Sequence, residues 1–168
     1  MFEWLPFELR AEPTPTLRPE DDYLQSAWRT GVLPLAAKLG VEMKLPTVSP
    51  QPYTRLAHEG MEFAKDHGKG TEYADAVFKA FFQRSEDIGT IDALSKIAGG
   101  IGLNADEFRR ALESGAYRER TQDLLRQARM QMVNAVPTFL IGRRRVSGLY
   151  PAEVLKQIVE EQMKVLSS

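Results

Sequence analysis

The 168-residue chain contains no cysteine. That absence excludes intrachain disulfides, thiolate metal sites and nucleophilic thiol chemistry by this polypeptide. An excess of either charge is also missing: 22 Lys and Arg face 23 Asp and Glu, for a net charge of -1 and a pI of about 6.2. Without a basic field, nucleic acid and anionic membranes are not expected partners, which leaves proteins and small molecules. No apolar run approaches the roughly 18 residues that suggest a membrane span. Met1-Phe2-Glu3-Trp4 shows neither the basic n-region nor the apolar h-region of a secretory signal, so the expected setting is cytoplasmic. The two histidines, His58 and His67, lack a third ligand at metal spacing and are expected to face solvent or cap helices. Acidic residues are spread over helix faces, and no carboxylate pair stands out for general acid–base work. Neither a catalytic residue nor a metal ligand is therefore expected.

What is present is enough apolar sequence, 43%, for one sizeable core. Phe2 to Arg10 alternates large apolar and polar residues and breaks its period at Pro6, predicting a half-buried strand with an interruption. Ala11 to Glu20, carrying Pro13, Pro15 and Pro19, reads as an extended connector. Asp21-Asp22 opens a helical pattern that Gly31 and Pro34 should divide or kink and that Gly40 ends. Val41 to Pro46 is a short extended piece before the turn Ser49-Pro50-Gln51-Pro52.

From there to residue 132 the pattern is helical. Tyr53 to His67 and Thr71 to Arg84 each place apolar residues at three- and four-residue spacing and should pack together. Ile91 to Ala98 follows. Asn104-Ala105-Asp106-Glu107 has the cap-then-carboxylate spacing that starts a further helix, and Tyr117 to Met132 is the last of the block. Tyr73, Phe78, Phe81 and Phe82 are assigned to the core of this region, and Trp4 and Trp28 to core or interface anchors. Pro137 before Thr138-Phe139-Leu140-Ile141, with Arg143-Arg144-Arg145-Val146-Ser147-Gly148 beyond, predicts a turn feeding a two-stranded hairpin whose arginines lie in a solvated turn. Pro151 suits a first helical position, with Val154, Leu155, Ile158 and Val159 as the buried stripe of a final helix.

A strand, a block of helices, then a proline-led hairpin and a last helix resembles the DsbA-type branch of the thioredoxin superfamily, most closely its FrnE-like and 2-hydroxychromene-2-carboxylate isomerase-like subgroup. The residues carrying the resemblance are Trp4-Leu5-Pro6-Phe7-Glu8-Leu9, the Ala36 to Pro46 segment with Leu39-Gly40-Val41, and Thr54-Arg55-Leu56-Ala57-His58. They continue with Val77 to Phe82 followed by Asp87-Ile88-Gly89, then Gly102-Leu103, Val136-Pro137-Thr138-Phe139 and Val146 to Pro151. The resemblance implies an α/β fold: an incomplete thioredoxin-like part formed by residues 1–20 and 133–168, with 21–132 as a large inserted all-helical domain and its connectors. It also implies a cis peptide bond before Pro137 and a substrate-binding site at Val136, Pro137 and Thr138, where backbone groups hold a protein or peptide chain, or glutathione's cysteinyl unit.

In that family a strand and a helix bearing Cys-x-x-Cys, or a serine in isomerase and kappa-class glutathione transferase relatives, precede the Trp4 segment, and this chain starts after both. No redox residue can be carried onto it. The absent strand belongs between the Trp4 segment and the Pro137 hairpin. The expectation is therefore that a second chain covers the gap, making a homodimer, or that the Trp4 segment shifts across to pair with Thr138 to Ile141. The implied activity is that of a thiol–disulfide oxidoreductase lineage, redox-inactive in this cysteine-free chain. Its alternatives are a redox-dead peptide-binding or assembly module and a glutathione-dependent isomerase or transferase relative. No cofactor is expected beyond glutathione.

Overall fold

A computed structural model describes residues 2–166. It divides into two compact units, residues 1–125 and 126–168. The regular elements of the first are all helices. Helix α1 (Asp22–Ala27) runs through a π-helical turn at Trp28–Val32 into α2 (Leu33–Leu39). Pro34 falls in the first turn of α2 and brings no N–H, and the widened turn keeps the Leu33 N–H bonded to Trp28 O. The division expected at Gly31 and Pro34 is this turn. Gly40 closes α2, where the Val41 N–H bonds Ala36 O at 2.9 Å.

Helices α3 (Arg55–Asp66), α4 (Gly70–Phe82), α5 (Ile91–Gly100) and α6 (Ala105–Ser114) pack on one another. Their apolar stripes meet in a core that includes Phe63, Tyr73, Val77, Leu94, Phe108 and Leu112. Phe108 stands edge-on to Phe63, with ring centroids 5.2 Å apart. Two caps fix where chains enter this bundle. Thr90 Oγ1 accepts the Ala93 N–H at the start of α5, and Asn104 Oδ1 accepts the N–H groups of Asp106 and Glu107, each at 3.1 Å, at the start of α6.

The expected strand around Trp4 is not formed. Residues 2–8 form no regular secondary structure, and β1 pairs only with β2 among the described residues, so the shifted pairing does not occur either. Alternation favours an extended backbone, but a strand exists only when a neighbour completes its ladder. Side chains hold this segment instead. Buried Glu8 accepts from the Arg55 guanidinium at 3.1 Å, Glu3 meets Lys65 at 3.3 Å, and Trp4 lies edge-on to Phe2 and Phe78. Phe78 also departs from expectation: it is 50% exposed beside Trp4, while Tyr73 is fully buried. Trp28 is buried as an anchor against Phe82.

Helix α7 (Arg118–Met130) begins in the first unit and ends in the second. The second unit continues with the antiparallel hairpin β1 (Thr138–Ile141) and β2 (Arg144–Ser147), then α8 (Ala152–Leu166), which packs on β1. Gly142 has φ 57° at the first of two loop positions, and Arg143 is not in the positive-φ region. That combination makes a type II′ connection, whose twist matches the strands. Pro151 lies one residue ahead of α8 and its carbonyl accepts the N–H groups of Val154 and Leu155. Ile158 is buried, Val154 and Leu155 are partly buried, and Val159 is exposed, so the α8 stripe is narrower than its spacing predicted.

Candidate functional site

The three residues expected to bind substrate are consecutive, and the local structure fixes each. The Val136–Pro137 peptide bond is cis, as are Glu12–Pro13 and Ser49–Pro50. Pro137 O accepts the Gly148 N–H at 2.8 Å, extending the hairpin ladder one step beyond β1. Thr138 Oγ1 reaches back to Ala135 O at 2.7 Å and across to Ser147 Oγ at 3.1 Å. Upstream, Met132 takes φ 52° as α7 ends, and the Arg145 guanidinium donates to the carbonyls of Gln131 and Met132. The carbonyls at the end of α7 are thereby satisfied by a cation on the hairpin, a favourable placement for positive charge. Arg144 pairs with Glu161 at 3.0 Å, and the Arg143 N–H donates to Gln162 Oε1. The side chains of two of the three arginines therefore brace the hairpin.

The ladder decides which backbone groups remain free. Thr138 lies opposite Ser147, Phe139 opposite Val146, Leu140 opposite Arg145 and Ile141 opposite Arg144. Because Gly148 N–H bonds Pro137 O, residues of odd number on β1 turn their amides toward β2, and Thr138 and Leu140 turn theirs to the open edge. Val136 has the same parity, and neither its N–H nor its C=O has a partner among the described residues. Val136 is 50% exposed and Leu140 43% exposed. The site is thus a braced strand edge with backbone donors and acceptors facing outward and no charged side chain from Val136 to Ile141.

A second polar cluster was not legible in the sequence. Glu59 and Glu62, one turn apart on α3, are each 1% exposed. Glu62 meets Lys65 at 2.7 Å and Arg120 at 2.9 Å, Arg120 also holds Asp66 at 2.8 Å, and Arg118 lies 3.9 Å from Glu59. Burial pushes the Glu59 carboxyl above the usual range, with Arg118 and Arg55 opposing, while the Arg120 guanidinium holds Asp66 below it. Cations sit directly on Glu62 and Asp66, while Glu59 Oε2 is buried without a hydrogen-bond partner, so the cluster reads as an ion-pair clamp between α3 and α7. The available signal was positional: the helical period of Leu56, Ala57, Gly60, Phe63 and Ala64 sweeps Glu59 inward.

The histidines are both engaged locally. His67 Nδ1 lies 2.8 Å from Phe63 O, and its ring stacks on Phe63 with centroids 4.1 Å apart. Burial lowers the pKa of His58, although the Glu8 carboxylate and the Phe7 carbonyl favour its charged form. Among the described residues, no group of three or more His, Asp or Glu side chains could hold a metal. None of the helices among the described residues is long and apolar enough to cross a membrane.

Residues 2–160 match the DSBA-like thioredoxin domain family. The Bacillus subtilis (strain 168) protein YwbO is 44% identical over 164 residues, covering 96% of this chain and 82% of that protein. Among solved structures, a probable DsbA oxidoreductase from Streptomyces coelicolor superposes with a TM-score of 0.77 at 24% identity, over 95% of this chain and 74% of that one. A 2-hydroxychromene-2-carboxylate isomerase superposes with a TM-score of 0.63 at 20% identity, over 87% and 66%. At these identities the two structures show the shared fold. The family match spans nearly the whole chain, and the chain belongs to the DSBA-like thioredoxin domain family.

Proposed function

We propose that this chain is the substrate-holding part of a DsbA-family thiol–disulfide oxidoreductase scaffold, redox-inactive as a cysteine-free polypeptide, which binds an extended polypeptide along Val136, Pro137 and Thr138. The observation that carries the reading is the set of outward, unpartnered backbone groups at Val136, Thr138 and Leu140 on a hairpin braced from behind. Such an edge binds by strand addition: main-chain hydrogen bonds supply affinity whatever the bound sequence, and flanking side chains supply selectivity. The inactivity is chemical. Thiol–disulfide exchange needs a thiolate to attack a disulfide sulfur, and neither serine nor methionine replaces it.

Titrating the isotope-labelled protein with a short, extended, cysteine-free peptide should move the amide resonances of Val136, Thr138 and Leu140 and leave the α3 to α6 core unmoved. Resonances on the edge that stay fixed at saturating peptide would remove the binding reading. The same protein should leave insulin reduction at the buffer rate, and turnover above it would overturn the inactivity. A parallel titration with glutathione tells a general peptide edge from one restricted to that tripeptide.

A further inference from the structure

We infer that the outer edge of β2 is a second docking edge, which takes an extended acidic segment of another protein by strand addition. It lies on the side of the hairpin away from β1, and it stands or falls apart from the β1 reading. The ladder supplies the first argument. Because the Gly148 N–H bonds Pro137 O, the even-numbered residues of β2 face β1, and Arg145 and Ser147 turn their N–H and C=O groups outward. Among the described residues no strand pairs with that side. Arg144, Arg145 and Ser147 are exposed along it. Buried Val146, opposite Phe139, and the Arg143 N–H on Gln162 Oε1 hold the strand from behind.

Charge selects the partner. Residues 126–168 hold seven of the 22 Lys and Arg but three of the 23 Asp and Glu, a net charge of +4 in a chain whose total is -1. From Leu124 to Ala152 there are five arginines and no acidic residue. A whole-chain charge near zero conceals this segregation. Within the hairpin Arg144 is neutralised by Glu161, whereas Arg145 meets the neutral carbonyls of Gln131 and Met132. The exposed Arg143 guanidinium has no ion pair among the described residues. Two cations are therefore left uncompensated at the edge whose backbone is open. Like charges set opposite one another destabilise a strand pair and opposite charges stabilise it. These arginines keep a second copy of β2 away and favour aspartate or glutamate. Main-chain bonds supply the affinity, and acidic side chains choose the segment.

The test titrates the isotope-labelled full chain with a short cysteine-free peptide of alternating glutamate and threonine, and with a control peptide in which lysine replaces glutamate. The glutamate peptide should move the amide resonances of Arg145 and Ser147 to saturation, and its binding should weaken as salt rises. Arg143→Glu, in an exposed turn, should weaken that binding by about fivefold or more. Ser147→Pro removes an outward N–H and spares the ladder to β1, so it should prevent binding with an unchanged circular dichroism spectrum. Arg145 and Ser147 amides that stay fixed, an equally tight lysine peptide, or binding indifferent to Arg143→Glu would each overturn the inference. Binding that survives in a folded Ser147→Pro protein also overturns it. Shifts confined to Val136, Thr138 and Leu140 would assign the peptide to the β1 edge, sinking this inference and leaving the proposed function standing. A single-stranded oligonucleotide that binds more tightly than the glutamate peptide would make the arginines a nucleic-acid surface, and the acidic-segment reading would fall.

Discussion

Substituting Gly60 by alanine tests the packing of the helical unit, because two effects of opposite sign meet at one position. In an exposed helix interior the change is favourable by about 1 kcal/mol, since glycine loses more backbone freedom. Here the added Cβ would lie against Tyr73 Oη, 2.5 Å from Phe108 Cζ and 3.0 Å from Tyr73 Cζ. Tyr73 is 1% exposed and Phe108 0%, so neither ring can swing into solvent. Phe108 is also backed by Phe63. Overpacking a closed core costs about 1–3 kcal/mol, and displacing two rings belongs in the upper part of that range. The expected net loss is about 1–2 kcal/mol, or a fall in Tm of roughly 2–8 °C for a chain of this size. Urea denaturation should show an earlier midpoint with an unchanged m-value. Tyr73→Phe removes a buried hydroxyl that has no partner, so it should be near neutral alone and should restore part of the loss in the double variant. A Gly60→Ala protein about 1 kcal/mol more stable than the wild type would refute the close approach of α3 to Tyr73 and Phe108.

Asn104→Ala should cost about 1 kcal/mol by urea denaturation, because two N–H groups at the start of α6 lose their acceptor. Asn104→Asp should retain most of that stability. Stability should also fall in mild acid through His58. Its folded-state pKa is below the ordinary 6.5 because of burial, so its contribution is complete above 6.5 and is lost as pH falls through the lower folded value. Comparing urea midpoints at neutral and mildly acidic pH should show a smaller drop for His58→Gln than for the wild type. Equal drops would place the acid sensitivity elsewhere.

Helices were legible in the sequence where their signals are local. The α3 and α4 stripes, the Asn104 cap and the Gly40 stop each act within a few residues, and the structure follows them to within a residue or two of their expected bounds. The Pro137 hairpin was legible for the same reason, since its turn and its two strands are contiguous. The Trp4 strand failed because pairing is a relation between distant segments, and alternation reports only half of it. Phe78 failed likewise: Trp4 and Phe82 lie beside its ring, yet it stays half exposed. Glu59 and Glu62 did not stand out among acidic residues spread over helix faces, whereas on α3 both are buried. Their cations come partly from Lys65 one turn on and partly from α7, nearly sixty residues away in sequence. Composition cannot show a pairing of that range.

The second unit is where binding should be felt most. Among the described residues its buried apolar side chains are Val146 and Ile158, while Val136, Leu140, Leu149 and Tyr150 stay exposed. A segment this short, with so little apolar burial of its own, opens at a low free-energy cost compared with a bundle that encloses Phe63, Tyr73, Leu94 and Phe108. A ligand that binds only the closed form adds its full binding free energy to that small value, about 2.7 kcal/mol at a hundredfold excess over Kd. Amide exchange in β1, β2 and α8 should therefore slow by roughly a hundredfold when the β1 edge is occupied, while the α3 to α6 core, limited by its own opening, should change little. If the core slowed by the same factor as the hairpin, the two units would open as one cooperative body, and the weak local stability argued for the hairpin would be wrong.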